Sequence, residues 1–164
     1  MATKEGPELQ QIDLTKLNLQ QLTQIKQQLD QELGVFQDSL QTLKMAQTKF
    51  QDSGESLEKV TPDSEGKTIM VPLTGSMYVP GKIADGKAVI IDIGTGYFIQ
   101  KDVEGAKEYF KRKVNFVTEQ MEKIQQMGLE KSKIREAVMD VMEVRLQAQL
   151  SVQQQQRQQQ AAKS

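Results

Sequence analysis

Few residues in this chain have the type and spacing to do chemistry. Gly94-Thr95-Gly96 has the opening spacing of a phosphate loop, in which glycines let backbone N–H groups approach a nucleotide. Such a loop needs a third glycine and a helix directly after it, but Tyr97-Phe98-Ile99 reads as another strand. A hairpin turn explains the segment better. Lys107, Lys111, Arg112 and Lys113 form a basic cluster suited to phosphate contacts, yet Asp102, Glu104 and Glu108 interleave with them. That mixture is the pattern of a solvated helix face with i,i+4 charge pairs. Glu119, Glu122 and Asp140 are scattered along polar faces, and nothing couples them as acid and base.

The sequence contains no cysteine and no histidine. This removes thiolate nucleophiles, imidazole bases, disulfides and zinc sites built on Cys or His. An all-carboxylate metal site stays open, but no residues point to one. The expectation is therefore no enzyme, no catalytic residue, no metal and no cofactor. A net charge of −1 supplies no basic excess for nucleic acid. The N-terminal MATKEGPELQQIDL has no apolar signal region, and no apolar run approaches the roughly 20 residues of a membrane span. Neither a nucleic-acid nor a membrane partner is expected, and a soluble intracellular protein is the plain reading.

The elements that must position any function are legible from periodicity. Residues 1–12 read as a flexible polar arm, and Asp13 or Thr15 can cap a helix over 13–60. Its apolar residues recur every seven positions at Leu22, Leu29, Phe36, Leu43, Phe50 and Leu57. The companion seam positions Ile25, Glu32, Ser39, Ala46, Ser53 and Val60 are weaker. Leu19, Leu33 and Leu40 widen the stripe. After Pro62 the period switches to alternation over 67–100, with Thr74-Gly75, Asp85-Gly86 and Gly94-Thr95-Gly96 as turns. Four short strands in two hairpins follow, with Pro72 and Pro80 at strand edges or ends.

A second helix is predicted over 102–152. Phe110, Val114, Val117, Met121 and Ile124 keep a 4-3 spacing, after which Met127, Ile134, Val138 and Val141 fall out of phase. That slip predicts a stammer at Gly128. Beyond it a second apolar row, Met139, Met142, Leu146 and Leu150, lies beside the first. Met121 and Met127 read as seam fillers, while Met139 and Met142 fit seam or recognition surface equally. Residues 153–164 are a Gln-rich tail expected to be disordered. The fold class is α+β: a long antiparallel two-helix coiled coil joined by two β-hairpins. At 37% hydrophobic and 5% aromatic content, with no Trp, a one-layer seam is better supplied than a thick core. Exposed strand edges need partners, which points to an assembly subunit. A coiled-coil adaptor that recruits one folded partner is the alternative.

The stretches VPLTGSMYVPGKI at 71–83 and VIIDIGTGYFIQKD at 89–102 strongly resemble the hairpin block of prefoldin α-class subunits. AKEYFKRKVNFVTEQMEKIQ at 106–125 and LNLQQLTQIKQQLDQEL at 17–33 resemble eukaryotic members of that family, and the likeness covers about residues 13–150. It implies an ATP-independent co-chaperone in a heterohexamer with one further α-class and four β-class prefoldin subunits. The hairpins would then contribute to an oligomeric β-barrel through Val71, Leu73, Met77, Tyr78, Val79, Ile90, Ile91, Ile93, Tyr97, Phe98 and Ile99. Closing a barrel removes the open edges. Coiled-coil arms of about 45 residues per helix would reach on the order of 65 Å.

By the same resemblance, unfolded client proteins such as actin and tubulin are held at the arm tips and passed to the group II chaperonin. The tip residues implied are Leu14, Leu17, Leu19, Leu22, Ile25, Val141, Met142, Leu146 and Leu150. The implied compartment is the cytoplasm, with the nucleus as a second.

Overall fold

The computed structural model describes residues 13–161. A 3₁₀ turn at Leu14–Lys16 precedes helix α1, Leu19–Leu57, and a second at Pro62–Ser64 leads into the strands. These are β1, Thr68–Pro72, β2, Tyr78–Lys82, β3, Ala88–Gly94, and β4, Tyr97–Asp102. Helix α2 then runs over Val103–Ala161. Two long helices joined by two antiparallel hairpins is the architecture that the two periodicities predict.

The helix boundaries differ from the predicted ones for local reasons. Asp13 caps the 3₁₀ turn, its Oδ1 accepting from Thr15 N at 3.1 Å, and Leu17 is extended with ψ 143°. The long helix begins after a second cap. Asn18 Oδ1 accepts from Gln21 N at 2.8 Å, and Gln21 Oε1 accepts from Asn18 N at 2.9 Å. This reciprocal pair satisfies donors that a helix start leaves orphaned. At the other end, α2 continues through the glutamine run instead of stopping at residue 152. Glutamine ranks among the better helix formers, so a run without packing power still propagates a helix already nucleated. The predicted arm at 1–12 and the end of the tail at 162–164 lie outside the described residues.

Contacts divide the chain into two compact units, Ser39–Ile124 and Met1–Asp38 with Gln125–Ser164. The first, the hairpin unit, contains all four strands. β1 and β2 form one two-stranded sheet, with Val71 opposite Val79, and β3 and β4 form another, with Ile91 opposite Ile99. Gly94, Thr95 and Gly96 have φ of 102°, 53° and 80°, the left-handed turn that closes a tight hairpin. The phosphate-loop alternative is thereby displaced by a turn between paired strands.

The core of this unit joins one face of β3–β4 to the helices. Leu57, Ile91 and Ala106 are buried, with Val89, Ile99, Tyr109 and Phe110 packed against them. Tyr109 and Phe110 stack edge to face at 5.3 Å between centroids, and Phe50 lies 6.4 Å from Phe110. Gln47 is buried in a seam and is satisfied by donating to Thr118 Oγ1 at 2.7 Å. Gly86 is buried where the β2–β3 connection passes the residues after α1. A Cβ there would meet Thr61 O at 2.6 Å.

In the second, terminal unit, Leu22, Leu29 and Val138 are buried together, with Leu14, Leu17, Ile25, Val141 and Met142 around them. No stammer occurs in α2. Gly128, Lys131, Arg135, Val138, Met142 and Arg145 are shielded from water and keep the 3-4 spacing that 110–124 began, with Ser132 and Val141 shielded beside that row. Gly128 accommodates Phe36, whose ring would lie 3.8 Å from an added Cβ. Met127 and Ile134, the apolar residues that suggested a slip, are 44% and 48% exposed. Apolarity misled because cations occupy the seam.

Candidate interaction surfaces

Two basic residues of α2 are each paired with a carboxylate of α1 across the seam. Lys131 Nζ lies 2.8 Å from Glu32 Oε2, and Arg135 Nε donates to Asp30 Oδ1. Lys26 Nζ donates to the second Asp30 oxygen at 2.7 Å. Hydrogen bonds from Lys26, then Arg135, hold the Asp30 carboxyl below its ordinary value, and Lys131 and then Gln28 do the same for Glu32. Arg145 Nη2 donates to the carbonyl of Thr15, tying the opening turn to α2. These residues carried no functional signal in the sequence, since a charged seam position looks like a break in the stripe.

Past Arg145 the helix has no partner among the described residues. Every side chain from Leu146 to Gln159 is exposed. Leu146, Leu150 and Val152 are each about half exposed, and Val144 is more so. The predicted tip residues therefore divide. Leu22 is fully buried in the core and presents no surface, while Leu14, Leu17, Ile25, Val141 and Met142 pack on it, half-buried. Leu19 is half-buried, and Leu146 and Leu150 are open. Of the methionines, Met142 belongs to the core cluster, and Met127 and Met139 face outward.

The hairpin unit exposes more. β1–β2 buries no side chain: Leu73, Met77, Tyr78 and Val79 are exposed, as are Ile69 and Met70, which the candidate set omits. Val71 is half-buried because it leans over Gly81, where a Cβ would approach its Cγ2 to 2.9 Å. In β3–β4 the faces are unequal. Ile91 is buried and Ile99 half-buried in the unit's own core, while Ile90 is 72% exposed and Phe98 63% exposed on the opposite face. Strict alternation along β3 would put Ile93 on the Ile91 face. A bulge between Asp92 and Gly94 shifts the register, and it is exposed. Tyr97 is exposed beside the turn.

The basic cluster does not form one patch. Lys107 spans to Glu58 and Glu104, each at 3.2 Å, and Lys113 lies 5.5 Å over the Tyr109 ring. Bonding to Glu104 and then Glu58 raises the Lys107 pKa. Among the described residues there is no group of His, Cys, Asp and Glu that could hold a metal, and no helix is long and apolar enough to cross a membrane.

This combination of paired helices, open hairpins and no clustered polar chemistry finds a match among known proteins. The prefoldin family profile, described as "Prefoldin subunit", matches residues 29–148. A probable prefoldin subunit 5 of Drosophila melanogaster is 48% identical over 161 residues, covering 98% of this chain and 96% of the relative. The chain belongs to the prefoldin family. Human prefoldin subunit 5 is 48% identical over 138 residues, covering 84% of this chain and 90% of the relative. The Arabidopsis thaliana prefoldin subunit 5 is 33% identical, with 74% and 81% coverage. A solved filamentous PFD from Methanocaldococcus jannaschii aligns with TM-score 0.45 at 19% identity, over 76% of this chain and 98% of that one. Prefoldins are chaperone subunits rather than enzymes, and this chain takes the role of a prefoldin chaperone subunit.

Proposed function

We propose that this prefoldin chain assembles through its hairpins and holds nonnative proteins on the exposed apolar residues of its terminal unit. The observation that carries the assembly half is the β1–β2 hairpin, which buries no side chain of its own. A two-stranded hairpin is marginal in water unless a further strand or a packed face supports it. Partner strands from one α-class and four β-class prefoldin subunits, closing an oligomeric β-barrel, supply both. The residues in this role are Val71, Leu73, Met77, Tyr78, Val79, Ile90, Ile93, Tyr97 and Phe98. Ile91 and Ile99 act indirectly, by fixing β3–β4 to the helices.

The holding half rests on the unpartnered end of α2. Leu146 and Leu150 project from one side of a helix that no described residue covers. Burying about 200 Å² there gives roughly 5 kcal/mol before the costs of association, so one chain binds weakly. Several tethered chains raise the effective concentration, and no ATP is needed. Clients such as actin and tubulin, transfer to the group II chaperonin, and action in the cytoplasm and nucleus complete the reading. The test is light scattering of a denatured client in the presence of the reconstituted complex without ATP, beside a native mass measurement of the mixed subunits. Suppressed aggregation and a mass matching a heterohexamer are expected. Equal aggregation with and without the complex defeats the holding half, and a lone monomer in every mixture defeats the assembly half.

A further inference from the structure

Helix α2 carries a second apolar row that the seam with α1 does not use. Met127, Ile134, Ala137, Val141, Val144 and Ala148 keep the 3-4 spacing of one helix side, and Val152 continues it. The first five each stand one residue before a seam member: Gly128, Arg135, Val138, Met142 and Arg145. The row therefore lies about 100° around the helix from the seam. It faces water. Ile134 is 48% exposed, Val144 68% and Val152 52%, and Ala137 and Ala148 are exposed small residues. Val141 also packs against the core cluster, which fixes the row to the terminal unit. Single exposed apolar side chains are ordinary, but these keep helical phase along about 38 Å of helix, with Glu130 as an interruption.

The spacing decides what fits. A second helix can follow a 3-4 row along its whole length, whereas an extended strand has period two and drifts off it. The two alanines let such a helix approach to about 8 Å between axes, the close end of helix packing. The charge decides what kind of helix. One position before the row, on the border away from the seam, stand Glu136, Asp140 and Glu143 with Lys133 as their one cation, and Glu130 lies in the row itself. Among the described residues no cation pairs with Glu130, Glu136 or Asp140. On the seam side Lys131 and Arg135 are engaged by Glu32 and Asp30, so they do not offset this border.

We propose that this outer side of α2 docks a basic amphipathic helix, an apolar stripe flanked by Lys and Arg, presented by a nonnative client. This rests on the holding reading above and adds to it a second surface and the class of segment that surface takes. The surface is distinct from Leu146 and Leu150, which follow the seam positions Arg145 and Gln149 by one residue and so lie on its other side.

The test is fluorescence anisotropy of labelled peptides with the reconstituted complex that carries this chain. The first peptide has Leu at the two seam positions of each heptad, Lys beside them and Gln elsewhere. One companion places the same residues in strict apolar–polar alternation, and another has Glu for every Lys. The first should bind about tenfold more tightly than either companion. Ile134→Gln with Val144→Gln should weaken it about tenfold while the melting curve and the mass of the complex stay unchanged, since both side chains face water. Glu136→Lys with Asp140→Lys should weaken the Lys peptide and strengthen the Glu peptide, a reversal that no folding defect produces. Equal binding of the alternating peptide overturns the helix assignment, and undiminished binding by Ile134→Gln with Val144→Gln overturns the surface. A dimer of the chain alone that the same variant abolishes assigns the row to a second copy and overturns the proposal too. Client aggregation suppressed by a complex that binds no helical peptide ends this inference and leaves the holding reading standing. Failure of both removes both.

Discussion

Arg135 reaches across the terminal unit to donate to Asp30, whose other carboxylate oxygen is held by Lys26 at 2.7 Å. The bonding partners lower the Asp30 pKa from 3.8, and those of Glu32 lower its pKa from 4.5. A depressed carboxylate stabilises the folded state above its unfolded pKa, and that stabilisation is lost as pH falls through the folded value. The parent should therefore lose thermal midpoint as pH drops below about 4. The double variant Asp30→Asn with Glu32→Gln should start lower at pH 7 and show a flatter slope over the same interval. Circular dichroism melts between pH 7 and pH 2.5 measure both, and parallel curves would remove the ion pairs from the account.

Gly128→Ala should stabilise the chain by about 1 kcal/mol, the usual difference between these residues inside a helix. The added Cβ would sit 3.8 Å from the Phe36 ring, an ordinary contact. A raised thermal midpoint is expected. A lowered one would mean that the Phe36 ring cannot make room for the added methyl.

Ile91→Ala should cost about 2–5 kcal/mol, since it empties a buried site in the hairpin unit's core. Ile90→Ser, one residue away on the open face, should stay within about 0.5 kcal/mol in the isolated chain. Its effect belongs to assembly, where a lower yield of mixed complex is expected. Urea melts of the isolated chain and native mass of the mixture separate the two effects.

Leu146→Ser with Leu150→Ser should leave the melting curve and the assembly unchanged, because neither side chain has a described partner across the unit. Client aggregation should be suppressed less well by a complex that carries the pair. Undiminished suppression would move the client surface elsewhere on the chain.

Much of this was readable from periodicity, and the failures have physical causes. The seven-residue row Leu22 to Leu57 marks the α1 seam because each position there is apolar and large. In α2 the same row is written partly in Lys131, Arg135 and Arg145, long side chains whose stems pack while their heads find carboxylates or a carbonyl. A hydrophobicity pattern skips them and follows Met127 and Ile134 instead. The hairpins were legible from Asp85-Gly86 and Gly94-Thr95-Gly96. The bulge that turns Ile93 outward was not, since it depends on Asp92 Oδ1 accepting from Gly94 N at 2.8 Å. Leu22 stands both on the seam row and among the implied tip residues; the seam position prevails, with Leu14 and Leu17 packed against it. Asn18 was missed because two caps stand close together and the first drew the boundary.

The charged crossing of the terminal unit also decides how the helices are aligned. Leucines repeated every seven residues fit nearly as well after a slide of one repeat. Such slippage would set Thr23 or Gln37 opposite Arg135, and Ile25 or Ser39 opposite Lys131, leaving both cations without a carboxylate. Asp30 and Glu32 thus act as a vernier, admitting one alignment out of several that oil alone would accept.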